Sequence, residues 1–265
     1  MHSPFQLAFK YLNYWSSSFN GKGHGIHSPF VFEFVTKVLN GKKDVDVYNA
    51  IEAVRKQLLQ DNTTITVQDF GAGSRVIGTK QRIVKQIAGT SLKPKKYSQL
   101  LHRVVQFYQP KTILEIGTSL GITTAYLAKA KFDANVITME GANAIAAIAG
   151  ENFRSLNISN IQQVIGNFDD TLPSTISALK RVDLAFIDGN HRYEPTIAYF
   201  QQILKKANNN TIIILDDIYW SEEMEQAWAW VKDHEQVRLT IDLFAIGIVV
   251  LRPEILHKQH FRIRY

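Results

Sequence analysis

Thr112-Ile-Leu-Glu-Ile-Gly-Thr-Ser-Leu-Gly-Ile-Thr-Thr-Ala-Tyr126 decides the reading of this chain, because an apolar run ends in an acid and opens through two glycines into a helix. Ile113, Leu114 and Ile116 suit a buried parallel strand, which is covered on both faces and needs no polar alternation. Gly117 and Gly121 let the backbone approach a ligand more closely than a Cβ allows, and the next helix begins with unpaired amides facing the turn. Strand, glycine turn and helix in this order read as a nucleotide-type cofactor site at the carboxyl edge of an open α/β sheet.

Outward from this stretch, strands and helices alternate. Periodicity predicts helices over 100–108, 123–130, 142–156, 196–206 and 221–234, and strands over 112–116, 136–140, 161–165, 182–187 and 211–215. Residues 237–244 and 246–251 read as two strands joined too tightly for a helical crossover, so they pair as a hairpin. Upstream, 5–15, 30–39 and 47–59 look helical around a glycine-rich loop at 21–29 that holds His24 and His27. The expected organisation is a mainly helical N-terminal extension or lid, 1–96, followed by an α/β domain, 97–265.

A rival turn lies in Ile65-Thr-Val-Gln-Asp-Phe-Gly-Ala-Gly-Ser74. The arbiter is a ribose-binding acid, expected at the end of the next strand some ~20 residues on. Val136-Ile-Thr-Met-Glu140 supplies one after Gly117, whereas only a basic stretch follows Gly71. Glu140, with Gly141 behind it, is therefore the ribose ligand, since a carboxylate accepts from both ribose hydroxyls.

With 265 residues and 45% hydrophobic content, the chain can bury one large core or one core with a smaller appended domain. It has no cysteine, which excludes disulfides, thiolate zinc sites and a cysteine nucleophile. No apolar run reaches membrane-spanning length and no secretory core opens the sequence, so a cytoplasmic protein is expected. The net charge of +6 is uneven: residues 71–113 hold no Asp or Glu. Such a window serves as a collar for an anionic substrate, lipid headgroup or nucleic acid, or equally as a solvated face.

Two further strand ends carry acids. Asp183-Leu-Ala-Phe-Ile-Asp-Gly-Asn-His191 delivers Asp188 and His191, and Ile212-Ile-Ile-Leu-Asp-Asp217 delivers Asp216 and Asp217. Converging carboxylates repel unless a cation or a proton intervenes, and Mg2+, or Mn2+ or Ca2+, suits oxygen ligands. The alternative is that these acids cap turns and the helix after Ser221. Gly166-Asn-Phe-Asp-Asp170 closes the third strand, where Asn167 and Phe168 offer an amide and an apolar face for an adenine ring, or a simple capped loop.

The spacing Glu115-x-Gly117-x-x-x-Gly121 resembles the first motif of class I S-adenosylmethionine-dependent methyltransferases. The resemblance implies a Rossmann-like sheet of seven strands, a cofactor cradled by Glu115, Gly117, Thr118, Ser119 and Gly121, and contacts to it from Glu140, Gly141, Asn167, Phe168 and Asp188. The two acidic strand ends resemble those of metal-dependent O-methyltransferases, which implies Asp188, Asp216 and Asp217 as metal ligands. Asp188-Gly-Asn-His191 resembles the D-G-x-H turn of the sugar-modifying members, whose histidine is the proposed base, which implies catalytic roles for His191 and Asp188. Tyr97-Ser-Gln-Leu100 resembles the segment that crosses the cofactor in catechol-type enzymes and implies contacts from Tyr97 and Gln99. His27-Ser-Pro-Phe30 and Asp216-Asp-Ile-Tyr-Trp-Ser221 resemble an uncharacterised bacterial methyltransferase group.

The expected function is methyl transfer to the hydroxyl of a small, anionic molecule with help from a divalent metal. Nucleic acid is not the expected partner, and a homodimer is left open. The alternatives are an RNA or amino-group methyltransferase, suggested by the basic window, and a non-catalytic cofactor-binding or scaffold protein.

Overall fold

The computed structural model describes residues 1–69 and 78–265. Gly71 and Gly73 of the rival turn, and Arg75 of the basic window, lie outside the described residues. In chain order the elements are α1 (Pro4–Ser17), α2 (Pro29–Glu33), a π-helical stretch (Phe34–Leu39), α3 (Val45–Leu58), β1 (Thr64–Asp69), β2 (Gly78–Ile83), α4 (Val84–Ser91), α5 (Lys95–Tyr108), β3 (Thr112–Ile116), α6 (Ile122–Ala130), β4 (Asn135–Glu140) and α7 (Asn143–Ser155). There follow β5 (Ile161–Ile165), α8 (Phe168–Ala178), β6 (Leu184–Ile187), α9 (Tyr193–Leu204), β7 (Ile212–Asp216), α10 (Glu222–Asp233), β8 (Leu239–Asp242), β9 (Ile246–Val250) and β10 (Gln259–Arg262). The fold is mixed α/β around a mostly parallel sheet of eight strands. The chain divides into two units, residues 42–175 and residues 1–41 with 176–265.

In the unit of residues 42–175, β3, β4 and β5 lie side by side in parallel register, with Leu114 opposite Ile137 and Met139 opposite Val164. Every residue from Ile113 to Ile116 is fully buried, as the unbroken apolar run predicts. Helix α3 starts at an Asp44 cap, whose side chain accepts from the Val47 amide at 3.3 Å. Tyr48, Ile51 and Val54 on α3 share a core with Ile122, Ala125 and Tyr126 on α6. Strand β1 returns antiparallel into β2, with Thr64 opposite Ile83. The strand of the rival turn thus pairs antiparallel with β2, the next described element.

In the other unit the strand order is β10-β8-β9-β7-β6. Strands β6 and β7 run parallel, and β8 and β9 form the expected antiparallel hairpin, which pairs antiparallel with β7. The sequence reading has seven strands; the eighth, β10, runs parallel to β8. Its residues Gln259-His-Phe-Arg262 are polar and half exposed, so this edge strand lacks the apolar run that marks the others. Helix α8 was not expected either, because Pro173 sits inside it and removes one backbone donor.

The helix expected over 30–39 changes winding midway. Its π-helical second half turns Phe34, Val35, Val38 and Leu39 all inward, more than one stripe of an α-helix can bury. Helix α1 is anchored on the C-terminal strands of its own unit. The buried Tyr14 hydroxyl donates to the Ile263 carbonyl, and the Phe19 and Arg262 backbones bond at 2.8 Å. Tyr11 and Tyr14 pack on Phe244, with ring centroids 5.1 and 5.3 Å away.

Candidate functional site

The glycine turn after β3 is built from left-handed backbone. Gly117 has φ 105°, Ser119 φ 48° and Gly121 φ 81°. Gly117 and Thr118 both donate backbone bonds to the Met139 carbonyl, at 3.0 and 2.9 Å, which folds the turn over the end of β4. Glu140 closes it from the other side: its Oε2 accepts from the Ser119 amide at 2.8 Å and its Oε1 from the Ala142 amide at 3.0 Å. The Gly141 amide faces the same carboxylate. Burial raises the Glu140 pKa above the usual carboxylate range, and these amides pull it back. A carboxylate has about four lone-pair sites, so each oxygen can still accept from a ribose hydroxyl.

Gly121 has a packing reason that the sequence did not reveal. A Cβ there would stand 2.6 Å from the Phe153 ring and 3.1 Å from the Ala149 Cβ, so the absent side chain is what lets α7 pack against the start of α6.

Glu115 is fully buried, and its Oε2 accepts from the hydroxyls of Thr124 and Thr138. Thr118 lies 2.6 Å from Thr138, and because Thr138 gives its proton to Glu115, Thr118 is the donor of that pair. Glu115 Oε1 has no hydrogen-bond partner. Burial pushes its carboxyl up to about 7, and the charge of Glu140 adds to the rise while the two threonine donors oppose it. An orphaned acidic oxygen beneath a glycine turn fits the ammonium of an amino-acid ligand. Sequence reasoning missed Thr124 and Thr138; the signal was a polar Thr138 inside the apolar strand Val136-Ile-Thr-Met.

The remaining cofactor candidates are placed variously. Tyr97 is half-buried on α5 with Lys96 Nζ 5.8 Å from its ring centre. Gln99, on the same helix, is buried and hydrogen-bonds the Tyr126 phenol. Asn167 precedes α8 and accepts from the Asp169 amide at 3.2 Å, so its side-chain oxygen acts as a cap. Phe168 opens α8 half-buried.

In the other unit, Asp188 and His191 come together: Asp188 Oδ1 lies 3.5 Å from His191 Nε2. Asn190 and His191 both hold positive φ, 69° and 39°, and the His191 amide turns back to the Gly189 carbonyl at 2.9 Å. Such strain in consecutive non-glycine residues is typical of functional turns. Asp216 is the buried last residue of β7, while Asp217 leaves the strand with φ 51° and donates its amide to Ala245 at 2.7 Å. Helix α10 is capped by Ser221, which accepts from Met224 at 3.2 Å, so neither aspartate serves as that cap. Trp228 is buried against Gly247 and Trp220 remains partly exposed.

The expected metal cluster does not form. Among the described residues, no group of three or more His, Asp or Glu is arranged to hold a metal ion, so Asp188, Asp216 and Asp217 do not fit one as placed.

The model of a methyltransferase domain family (Methyltransf_24) matches residues 114–218. A catechol O-methyltransferase of Niastella koreensis is 32% identical over 126 residues, covering 46% of this chain and 55% of that protein. The chain thus spans little more than half the length of the curated relatives it matches. An O-methyltransferase from Bacillus cereus, solved in complex with SAH, superposes with a TM-score of 0.56 at 20% identity over 83% of this chain and 97% of that one. An O-methyltransferase of Streptomyces achromogenes involved in tomaymycin synthesis, solved with SAM, gives 0.56 at 17% identity over 84% of this chain and 95% of that one. Residues 114–218 thus match a methyltransferase domain, and the mixed α/β fold is the one these solved O-methyltransferases share.

Proposed function

We propose that the protein is an S-adenosylmethionine-dependent O-methyltransferase acting on a small hydroxyl-bearing acceptor. The observation that carries this reading is the Glu140 carboxylate, which binds the Ser119 amide of the glycine turn and keeps lone pairs for two ribose hydroxyls. The N. koreensis relative supports the oxygen-directed chemistry. When bound, S-adenosylmethionine supplies a methyl group on a sulfonium, which an acceptor oxygen displaces in line to leave S-adenosylhomocysteine.

The chain's residues divide the work. The turn from Gly117 to Gly121 and Glu140 bind and orient the nucleoside, and Glu115 Oε1 receives the ammonium of the methionyl part. His191 takes the acceptor's hydroxyl proton. Its Nε2 is turned toward Asp188, which leaves Nδ1 to accept a proton while Asp188 stabilises the imidazolium. Orientation of two bound reactants accounts for about 7–11 kcal/mol of the barrier, more than one general base contributes. No step is routed through a metal, because the residues as placed do not fit one.

The test is equilibrium binding of S-adenosylhomocysteine, followed by methyl-transfer assays on phenolic and sugar hydroxyls. Binding with turnover is expected. No binding at millimolar nucleoside would sink the reading, and binding without turnover on any hydroxyl would overturn the oxygen-directed part of it, leaving the amino-group, RNA and non-catalytic alternatives. Parallel assays with chelator and with added Mg2+ measure separately whether a divalent ion contributes.

A further inference from the structure

Helix α1 is held by one face and bare on the other. Tyr14 is buried, and His2 and Lys10 both reach Glu225, at 2.6 and 2.7 Å. On the opposite side Phe5 is 84% exposed, Phe9 68% and Leu12 65%, with Trp15 and Phe19 also open. Residues four and then three apart fall on one line of a helix, so Phe5, Phe9 and Leu12 form a continuous stripe with Trp15 on its flank. Single exposed apolar residues are ordinary, whereas a contiguous stripe marks a binding surface.

The segment that carries this stripe is basic. Residues 1–32 contain no Asp or Glu, while Lys10 and Lys22 lie among them. The C-terminal arm adds two cations to the end of the helix. The Arg264 guanidinium lies 4.9 Å from the Trp15 ring centre and donates to the Trp15 carbonyl at 3.0 Å. Arg262 donates to Ser17 Oγ at 3.1 Å. The two acids nearby are paired, Glu225 with His2 and Lys10, and Asp242 with Tyr219 and Arg262, which leaves Lys22 and Arg264 as the cations of this segment outside those pairs.

We propose that the outer face of α1 docks on an anionic lipid surface, with the helix in the plane of the headgroups, Phe5, Phe9 and Leu12 dipping toward the acyl chains and the basic groups meeting lipid phosphates. An aromatic stripe on a segment with cations and no acid of its own suits that boundary. A second copy docked through the same face would set two acid-free, basic segments against each other, which charge repulsion opposes. This docking is independent of the methyl-transfer reading.

The test is co-sedimentation of the full chain with phosphatidylcholine vesicles, with and without phosphatidylglycerol, for the parent and for the double variant Phe5→Ser, Phe9→Ser. Both side chains are exposed, so the variant's thermal melt should match the parent's. Expected are binding to the anionic vesicles, a weakening of about ten-fold or more in the variant, and a further loss at high salt. Absence of binding to anionic vesicles, or equal binding by parent and variant, overturns the proposal. A dimer in sedimentation velocity that the double substitution dissolves also overturns it, assigning the face to a second copy of the chain.

Discussion

Glu140 Oε2 accepts the Ser119 amide at 2.8 Å, so the acid at the end of β4 is bonded directly to the turn that follows β3. Two segments about twenty residues apart are locked into one surface by a single carboxylate. Glu140→Ala removes both the Ser119 and the Ala142 bonds and the proposed ribose acceptor, and hydrogen bonds to charged groups contribute roughly 1.5–3 kcal/mol each. The variant should bind S-adenosylhomocysteine about 10- to 100-fold more weakly by calorimetry, and Glu140→Gln, which keeps one acceptor oxygen, should fall between. An unchanged affinity in the alanine variant would remove Glu140 from the site.

Two buried groups should shape the pH dependence of stability in opposite senses. The Glu115 carboxyl is pushed from about 4.5 up to about 7, chiefly by burial. The folded chain therefore holds more protons than the unfolded one across that window, and stability falls as pH rises through it, by on the order of 3 kcal/mol in total. The His102 imidazole is depressed from 6.5 to about 4, again chiefly by burial, and its Nε2 has no hydrogen-bond partner. Here the unfolded chain holds more protons, so stability rises with pH from about 4 to 6.5. Between pH 4.5 and 6.5 the two effects offset. In Glu115→Gln the fall due to Glu115 is lost while the His102 rise is kept, so urea midpoints should climb more steeply with pH between 4.5 and 6.5 than the parent's; curves that track the parent's would refute the shift assigned to Glu115.

Gly121→Ala is expected to be costly for two reasons. Its φ of 81° is left-handed, and the new methyl would meet the Phe153 ring at 2.6 Å. Together they should destabilise by about 2–4 kcal/mol. Adding Phe153→Leu should recover the steric share and leave the conformational one. A single variant as stable as the parent in urea would show that α7 yields freely.

His191→Ala should lower kcat by about 10²- to 10⁴-fold and leave S-adenosylhomocysteine affinity unchanged, since a general base contributes to the chemical step alone. Asp188→Ala should lose more, because it removes the partner of His191 Nε2 and a proposed cofactor contact together. Equal kcat and equal affinity in the two variants would contradict this division of roles.

Much of the fold was legible because its signals are local. The run Thr112–Ile116, the glycines behind it and the apolar strands 136–140, 184–187 and 212–216 announce themselves by composition alone. Elements whose residues satisfy no such pattern escaped: β10, which is polar because it forms an edge, and α8, which contains Pro173. The anchoring of α1 escaped for another reason, since Tyr14 and Ile263 are 249 positions apart and no local pattern connects them.

The sequence by itself determined the alternation of strands and helices, the cofactor turn and the pairing of Glu115 with Glu140, because hydrophobic periodicity and glycine spacing act over short stretches of chain. Only the tertiary structure decided how each acid is used. Glu115 is sealed against Thr124 and Thr138, Glu140 faces the turn amides, Asp188 meets His191, and Asp216 is buried at the end of β7. The direction and burial of a carboxylate depend on backbone torsions and on neighbours brought from distant sequence, and composition and spacing do not encode these.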